Sequence, residues 1–261
     1  MKSSGQDAWW RKHRLQAQLD GLLAAWRFLT VVPLPGSRGT LPGDLAASLP
    51  YFPLVGLTVG LLLAVAAGPL LLVCPTPLAA VLFTALLAAL SGALHLDGLA
   101  DTADGFASAR GREQVLAIMR DSRIGAMGVV ALVLVLAFKA AALASLSAER
   151  LPAALLLAPL AGRTAILIHL ALLPYVRASG LASIFLAGPR RSAAGMGLVL
   201  LGLTALLAGW AALTALIAWG LALVLFGLVC RRRIGGITGD TLGAVCELAE
   251  TAVLCGMALE P

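Results

Sequence analysis

Residues 195–229 read GMGLVLLGLTALLAGWAALTALIAWGLALVLFGLV, thirty-five residues without a charge. A membrane-crossing helix needs about 20 apolar residues at 1.5 Å rise each, so this run is too long for one crossing. Gly209-Trp210 near its middle offers a turn and an indole ring of the kind that settles at a lipid–water interface. The run is therefore expected to be two spans, 195–210 and 211–229, and the chain around it to be an all-α helical bundle in a membrane.

The rest of the chain agrees. Hydrophobic residues make up 60% of the 261 residues and charged residues 12%, and the mean hydropathy is +0.96, values outside the soluble globular range. Charges and prolines bracket further spans at 49–73, 77–94, 124–147, 151–173 and 241–259, giving about seven transmembrane helices. Residues 19–34 carry Asp20 and Arg27 and end at Pro33 and Pro35, which suits an interfacial N-terminal helix better than a full span. Residues 1–18, with Lys2, Arg11, Lys12 and Arg14, lack the apolar core and cleavage site of a signal peptide. They read as a flexible basic cytoplasmic tail preceding a single membrane-embedded catalytic domain, 19–261. The four cysteines, Cys74, Cys230, Cys246 and Cys255, lie in apolar surroundings without metal-site spacing and are expected as structural thiols.

Charge fixes the orientation. With the amino terminus inside, the inner segments hold Arg38, then Arg110, Arg112, Arg120 and Arg123, then Arg177, Arg190 and Arg191, then Arg231, Arg232 and Arg233, while the opposite face holds Arg150 between spans. This obeys the positive-inside rule and requires an even number of crossings between Arg191 and Arg231. The net charge of +6 follows from that face, which suits anionic lipid headgroups and a phosphorylated substrate.

Chemistry concentrates at that face. His95-Leu-Asp97-Gly-Leu-Ala-Asp101-Thr-Ala-Asp104-Gly105 closes an apolar stretch. Helical steps of about 100° put Asp97, Asp101 and Asp104 within a wedge of roughly 60°, with His95 about 160° from Asp97. Three carboxylates on one face call for a positive partner, and Mg²⁺ suits hard oxygen ligands while leaving positions for water and substrate phosphates. Asp121-Ser-Arg123-Ile-Gly125 follows a short polar helix. It reads equally as a capped helix start and as a phosphate site, since a helix amino terminus serves both.

A second polar constellation runs from Arg231 through Gly235-Gly236-Ile-Thr238-Gly239-Asp240. Its arginines, its glycines and a helix starting near Asp240 read together as a diphosphate cradle, whereas the arginines alone would be a basic membrane-edge turn. No GxxxxGK[ST] motif is present to support a P-loop. Beyond it, Asp240, Glu247 and Glu250 fall within about 80° on one helix face. Carboxylates inside a span are costly unless paired, hydrated or metal-bound. Lys139, Arg163 and His169, in other spans, are the expected partners, whether in a structural ion-pair network or a catalytic one.

The segments FLTVVPLPG from Phe28, YFPLVGLTVG from Tyr51, GALHLDGLADTADGFASAR from Gly92, MRDSRIGAMG from Met119 and GGITGDTLGAVCELAE from Gly235 resemble the cobalamin synthase family, the adenosylcobinamide-GDP ribazoletransferases. The likeness covers residues 22–254 and preserves the motif order. It implies a Mg²⁺-dependent, multi-pass enzyme of the cell inner membrane with its active site on the cytoplasmic side. Such enzymes join adenosylcobinamide-GDP to α-ribazole or its 5′-phosphate and release GMP, completing the nucleotide loop in cobalamin biosynthesis. On that resemblance Asp97, Asp101 and Asp104 would hold metal, completed by Asp121 or Asp240, and Asp104 or Asp101 could instead accept the hydroxyl proton. Arg110, Arg120 and Arg123 would steady the diphosphate, Gly235, Gly236, Thr238 and Gly239 would approach nucleotide or phosphate, and His95, Asp240 and Glu247 would contact substrate. The partners are these substrates and the lipid bilayer, with a homo-oligomer left open and no nucleic acid, haem, zinc or Rossmann cofactor called for.

Two alternatives stand beside it. Asp101-x-x-Asp104-Gly105-x-x-x-Ala109-Arg110 resembles the start of the CDP-alcohol phosphotransferase motif, but has three residues between Gly and Ala where that family has two, and lacks its later aspartate pair. A cation-coupled transporter would also carry buried carboxylates, but here the polar motifs gather on one side and no repeat of two halves is visible.

Overall fold

The computed structural model describes residues 4–177 and 179–259, and the side chains of the first helix from residue 15 onward. Eleven α-helices are present among the described residues: α1 (Ser4–Leu29), α2 (Pro42–Ala47), α3 (Phe52–Val73), α4 (Thr76–Leu90), α5 (Leu94–Ala107), α6 (Arg112–Ile118), α7 (Ala126–Ser145), α8 (Leu151–Leu172), α9 (Arg190–Leu207), α10 (Ala211–Ile234) and α11 (Gly239–Ala258). Short 3₁₀ turns cover Leu49–Tyr51 and Leu181–Ala187. There is no strand among them, only an isolated bridge between Tyr175 and Ile237. The all-α membrane bundle is thus as expected.

Six helical stretches are long and apolar enough to cross a membrane: Leu49–Val73, α7, α8, α9, α10 and α11. The charge-free run divides as expected, with α9 and α10 breaking at Ala208–Trp210, where Gly209 takes φ +73°. Buried fractions of 78% for α8 and 72% for α11, against about 30% for the other four, make these two the axis that the others surround. Such close packing without water to drive it needs small residues. At the α3–α8 contact a Cβ on Gly56 would lie 2.5 Å from the Pro159 carbonyl oxygen, and one on Gly60 2.7 Å from that of Leu156.

The expected span 77–94 is corrected. The apolar run reads as continuous, but α4 ends at Leu90 and α5 leaves it at 90°. The cause is local: Gly92 turns left-handed at φ +59°, its N–H donates to Ala89 O at 3.0 Å, and the next N–H, of Ala93, donates to Ala88 O at 2.9 Å. This is a Schellman stop. Ala93 is itself left-handed, at φ +57°. At 15 residues, or about 22 Å, α4 is short for a bilayer. We read it as the seventh crossing and α5 as a segment lying across the bundle end, over the first turns of α11 and α7.

The first helix runs without a break from Ser4 to Leu29. Within the expected interfacial segment, Ala25 and Leu29 are fully buried in the core, and Phe28 stacks on Phe52 with centroids 5.9 Å apart. The chain between Leu29 and α2 is held partly by Arg27, which donates to Gly36 O at 2.6 Å.

Candidate active site

The polar loops converge on the end of the bundle where α5 lies. Arg233 donates to the Ser108 carbonyl, Arg177 donates to Met119 O at 3.3 Å, and the strand-like pairing of 174–176 with Ile237 (Ile237 N to Pro174 O 2.8 Å, Val176 N to Ile237 O 3.0 Å) ties the α8–α9 loop to the α10–α11 turn. Beneath these loops lies a cavity of about 200 Å³. Its lining includes His95 and Asp97 from α5, Tyr175 and Arg177 from the loop after α8, and Asp240 from α11.

The backbone makes this possible. Gly98 and Gly243 let α5 and α11 cross almost in contact: a Cβ on Gly98 would sit 2.6 Å from Asp240 O, and one on Gly243 3.1 Å from His95 O. This close crossing brings Asp97 and Asp240 to one cavity from different helices. Arg177 pairs with Asp240 at 2.6 Å. Asp97, Asp240 and Asp104 all act on Asp101 as like charges, with Arg177 the opposing cation. Tyr175, partly buried in the cavity wall, has its phenol pKa raised by that burial.

The remaining expected site residues divide among other tasks. Asp104 faces the α7 amino terminus, where its carboxylate accepts N–H bonds from Gly125 at 2.6 Å and Gly128 at 2.8 Å. It satisfies donors that a helix start leaves unpaired. Asp121 forks onto Arg123 two residues away (2.6 and 3.0 Å), and those hydrogen bonds lower its pKa to about 2. Arg123, with 87% of its side chain exposed, is committed there, outside the cavity lining. Arg110 is exposed on the α5–α6 loop, and Arg120 acts electrostatically on Tyr175.

Several residues of the glycine-rich turn have structural tasks. Gly235 takes φ +82° as the left-handed stop of α10. Gly236 lies so close against Pro174 that no Cβ would fit. Thr238 is fully buried as the N-cap of α11, its backbone N–H donating to Thr241 Oγ1 at 2.8 Å and its own hydroxyl accepting from Thr241 N at 3.3 Å. Of that motif, Gly239 and Asp240 reach the cavity.

Glu247 is buried away from the cavity, in a network expected from the acidic stripe. Lys139 Nζ lies 2.6 Å from both Glu247 and Glu250, and Arg163 pairs with the other oxygen of Glu250. All four side chains are 5% exposed or less. Two cations and two carboxylates make a neutral set, the condition under which charges persist inside a membrane protein. His169 is separate, 3.2 Å from Leu223 O and stacked on Phe226.

Sequence reading missed Arg177 as a site residue, together with Tyr175 and the aromatic trio Phe28, Phe52 and Phe185 that packs at the cavity. The available signal was Pro174-Tyr-Val-Arg177 directly after a span; the aromatics meet from three distant segments and carry no common pattern.

Asp97 and Asp240 are the cavity's candidates for receiving a divalent cation. Asp97 and Asp240 offer hard oxygen donors to one cavity, and the like charges around Asp101 call for a positive partner. Among the described residues no group of three His, Cys, Asp or Glu side chains converges to hold a metal ion.

Fold and site together define a class: a helical multi-pass membrane protein whose acidic, arginine-bearing cavity sits at one end of the bundle. Residues 21–258 match the cobalamin-5-phosphate synthase family, and the chain belongs to that family. It is 45% identical over 240 residues to the adenosylcobinamide-GDP ribazoletransferase of Stutzerimonas stutzeri, covering 92% of this chain and 98% of the relative. The protein of that name from Pseudomonas putida is 48% identical over 90% of this chain and 97% of its own. That from Roseiflexus is 41% identical, over 90% and 88%. No solved structure matches.

Proposed function

We propose that this protein joins adenosylcobinamide-GDP to α-ribazole, or to its 5′-phosphate, and releases GMP. The observation that carries the reading is one cavity holding Asp97, Asp240 and Arg177 from three separate segments, in a chain that shares its family with ribazoletransferases. The ribose 3′-hydroxyl attacks the phosphorus attached to the cobinamide arm. A new P–O bond forms, the bridging P–O bond to guanylate breaks, the hydroxyl proton leaves and GMP departs, giving a phosphodiester.

Asp97 and Asp240 would hold Mg²⁺, which when bound draws charge from the diphosphate oxygens. Arg177 stands against Asp240 and, within the cavity, orients and neutralises the phosphoryl oxygens as negative charge builds on them. We assign the hydroxyl proton to Asp101, which is partly exposed and can discharge it to water. We place the site on the cytoplasmic face of an inner membrane; the arginines of the loops around the site, against Arg150 between α7 and α8, support the cytoplasmic side.

The test is GMP release by detergent-purified protein given adenosylcobinamide-GDP and α-ribazole, with and without Mg²⁺, beside Asp97→Asn. Equal amounts of GMP and cobamide from the wild type, lost without Mg²⁺ and in the variant, are expected. A folded wild-type protein in lipid that releases no GMP overturns the assignment.

A further inference from the structure

At about 200 Å³ the cavity is smaller than the roughly 300–1,000 Å³ that a drug-sized ligand occupies. A nucleotide-linked corrinoid is larger still, so the cavity takes the reacting groups and most of the donor lies outside it. A groove of about 390 Å³ adjoins it, with Phe28 of α1 and Leu181 of the second 3₁₀ turn lining both. Leu41, Leu45 of α2 and Ile184 of the turn extend the apolar lining of the groove. These side chains offer open surface: Leu41 is 66% and Leu181 58% exposed, and Phe28, Leu45 and Ile184 are partly exposed. The wall is preformed. Gly39, left-handed at φ +73°, lies against α1 so closely that a Cβ would stand 2.6 Å from Ala24 N. Arg27 holds the same loop, donating to Gly36 O at 2.6 Å and to Arg38 O at 3.2 Å.

From this continuity we infer that the groove seats the corrin macrocycle of the donor, whose cobinamide arm passes Phe28 and Leu181 to bring its phosphorus into the cavity. This rests on the ribazoletransferase reading above and gives a place to the part of the donor that does not react.

The chemistry of the groove selects among the pieces that meet at the phosphorus. A corrin presents a broad face edged with methyl groups and uncharged amide arms. The face and the methyls gain by leaving water for leucine, isoleucine and phenylalanine, while amides at an open groove keep their water. The polar side chains of the lining are Arg27 and Thr40, the first engaged by its loop carbonyls and the second donating to Ser37 O at 2.8 Å. A guanine edge buried there would leave donors and acceptors without partners, and a diphosphate needs a cation of the kind that Arg177 supplies in the cavity. The α-ribazole is the smaller substrate and must bring its hydroxyl to the phosphorus. The macrocycle is therefore the piece that needs an apolar groove larger than the cavity.

The inference is tested by calorimetric binding of adenosylcobinamide, GMP and α-ribazole, each alone, to the wild type, Leu41→Asn and Ile184→Ala in lipid nanodiscs. Leu41 is the exposed N-cap of α2 and asparagine is a favoured capping residue, so that variant folds whatever becomes of Ile184→Ala. Loss of one apolar contact is expected to weaken adenosylcobinamide binding about tenfold in either variant. Binding of GMP and of α-ribazole should stay within about twofold, as for sites that share no contact. Adenosylcobinamide that binds the wild type and Leu41→Asn equally well, or does not bind the wild type, overturns the inference. So does a loss confined to GMP or α-ribazole, or shared equally with either, which would put that group in the groove. A wild type that binds adenosylcobinamide yet releases no GMP from the complete substrates would instead strike the ribazoletransferase reading itself.

Discussion

Gly98→Ala adds one methyl group at the α5–α11 crossing and changes no charge. The added Cβ would lie 2.6 Å from Asp240 O and 3.1 Å from Asp240 Cα, against an ordinary contact of 3.4 Å or more, so the two backbones must separate by about 0.8 Å. Both neighbours are backbone atoms of α11, which is locked elsewhere, and no flexible side chain can yield. The displacement acts on Asp97, next to the methyl, and on Asp240, which it strikes. A misplacement of about 1 Å in a reacting constellation costs on the order of 10²-fold in rate, and overpacking of this size costs about 1–3 kcal/mol of stability. The expected result is kcat for GMP release down about a hundredfold, in a protein that still unfolds cooperatively on heating in detergent. Gly202→Ala is the control, because nothing lies within 4 Å of its added Cβ. Wild-type kcat in Gly98→Ala, with the variant shown to be folded, would refute the claim that this crossing positions the acids.

Three further outcomes follow from the geometry. Glu250→Ala leaves Lys139 and Arg163 buried with Glu247 as their one remaining carboxylate, and should lower unfolding stability by roughly 3–5 kcal/mol, a loss that Lys139→Met in the same chain partly restores. Asp104→Ala removes the carboxylate that caps α7 and should cost about 1–2 kcal/mol by thermal unfolding; inactivation with no change in stability would show that its role is not capping. Ala93→Gly relieves a left-handed alanine and should raise stability by about 0.5–1 kcal/mol, read as a higher melting temperature in the same detergent.

The spans were legible because hydropathy over about 20 residues is a property of the chain alone. The turn at 91–93 was hidden by the same signal, since Ala93 and Leu94 keep the run apolar while Gly92 reverses it. Helical periodicity put Asp97, Asp101 and Asp104 on one face, but it could not say that Gly125 and Gly128, twenty-one and twenty-four residues later, would take Asp104 for themselves. The turn 235–239 is a harder case. Glycines that cradle an anion and glycines that let two backbones touch look alike in sequence, and the close approach of Pro174 to Gly236 shows the second task at that position. Arg177 was visible as a charge and not as a site residue, because its meaning comes from Asp240, sixty-three residues away and 2.6 Å distant.

The acids of α11 show how a membrane enzyme can divide one stripe between stability and chemistry. Asp240, Glu247 and Glu250 share a helix face, yet the first opens on the cavity while the other two are sealed in ion pairs with α7 and α8. Hydrophobic packing alone specifies rotation poorly in a bilayer, where lipid and helix surfaces are equally apolar. Charged pairs specify it strongly, because turning α11 by one residue, about 100°, would strand Lys139 and Arg163 in the interior without partners. The quartet therefore fixes which face of α11 looks toward α5, and with it the direction in which Asp240 points two turns nearer the surface. On this argument the buried charges need never touch substrate to matter for turnover: they set the angle at which a carboxylate from one helix meets a carboxylate from another.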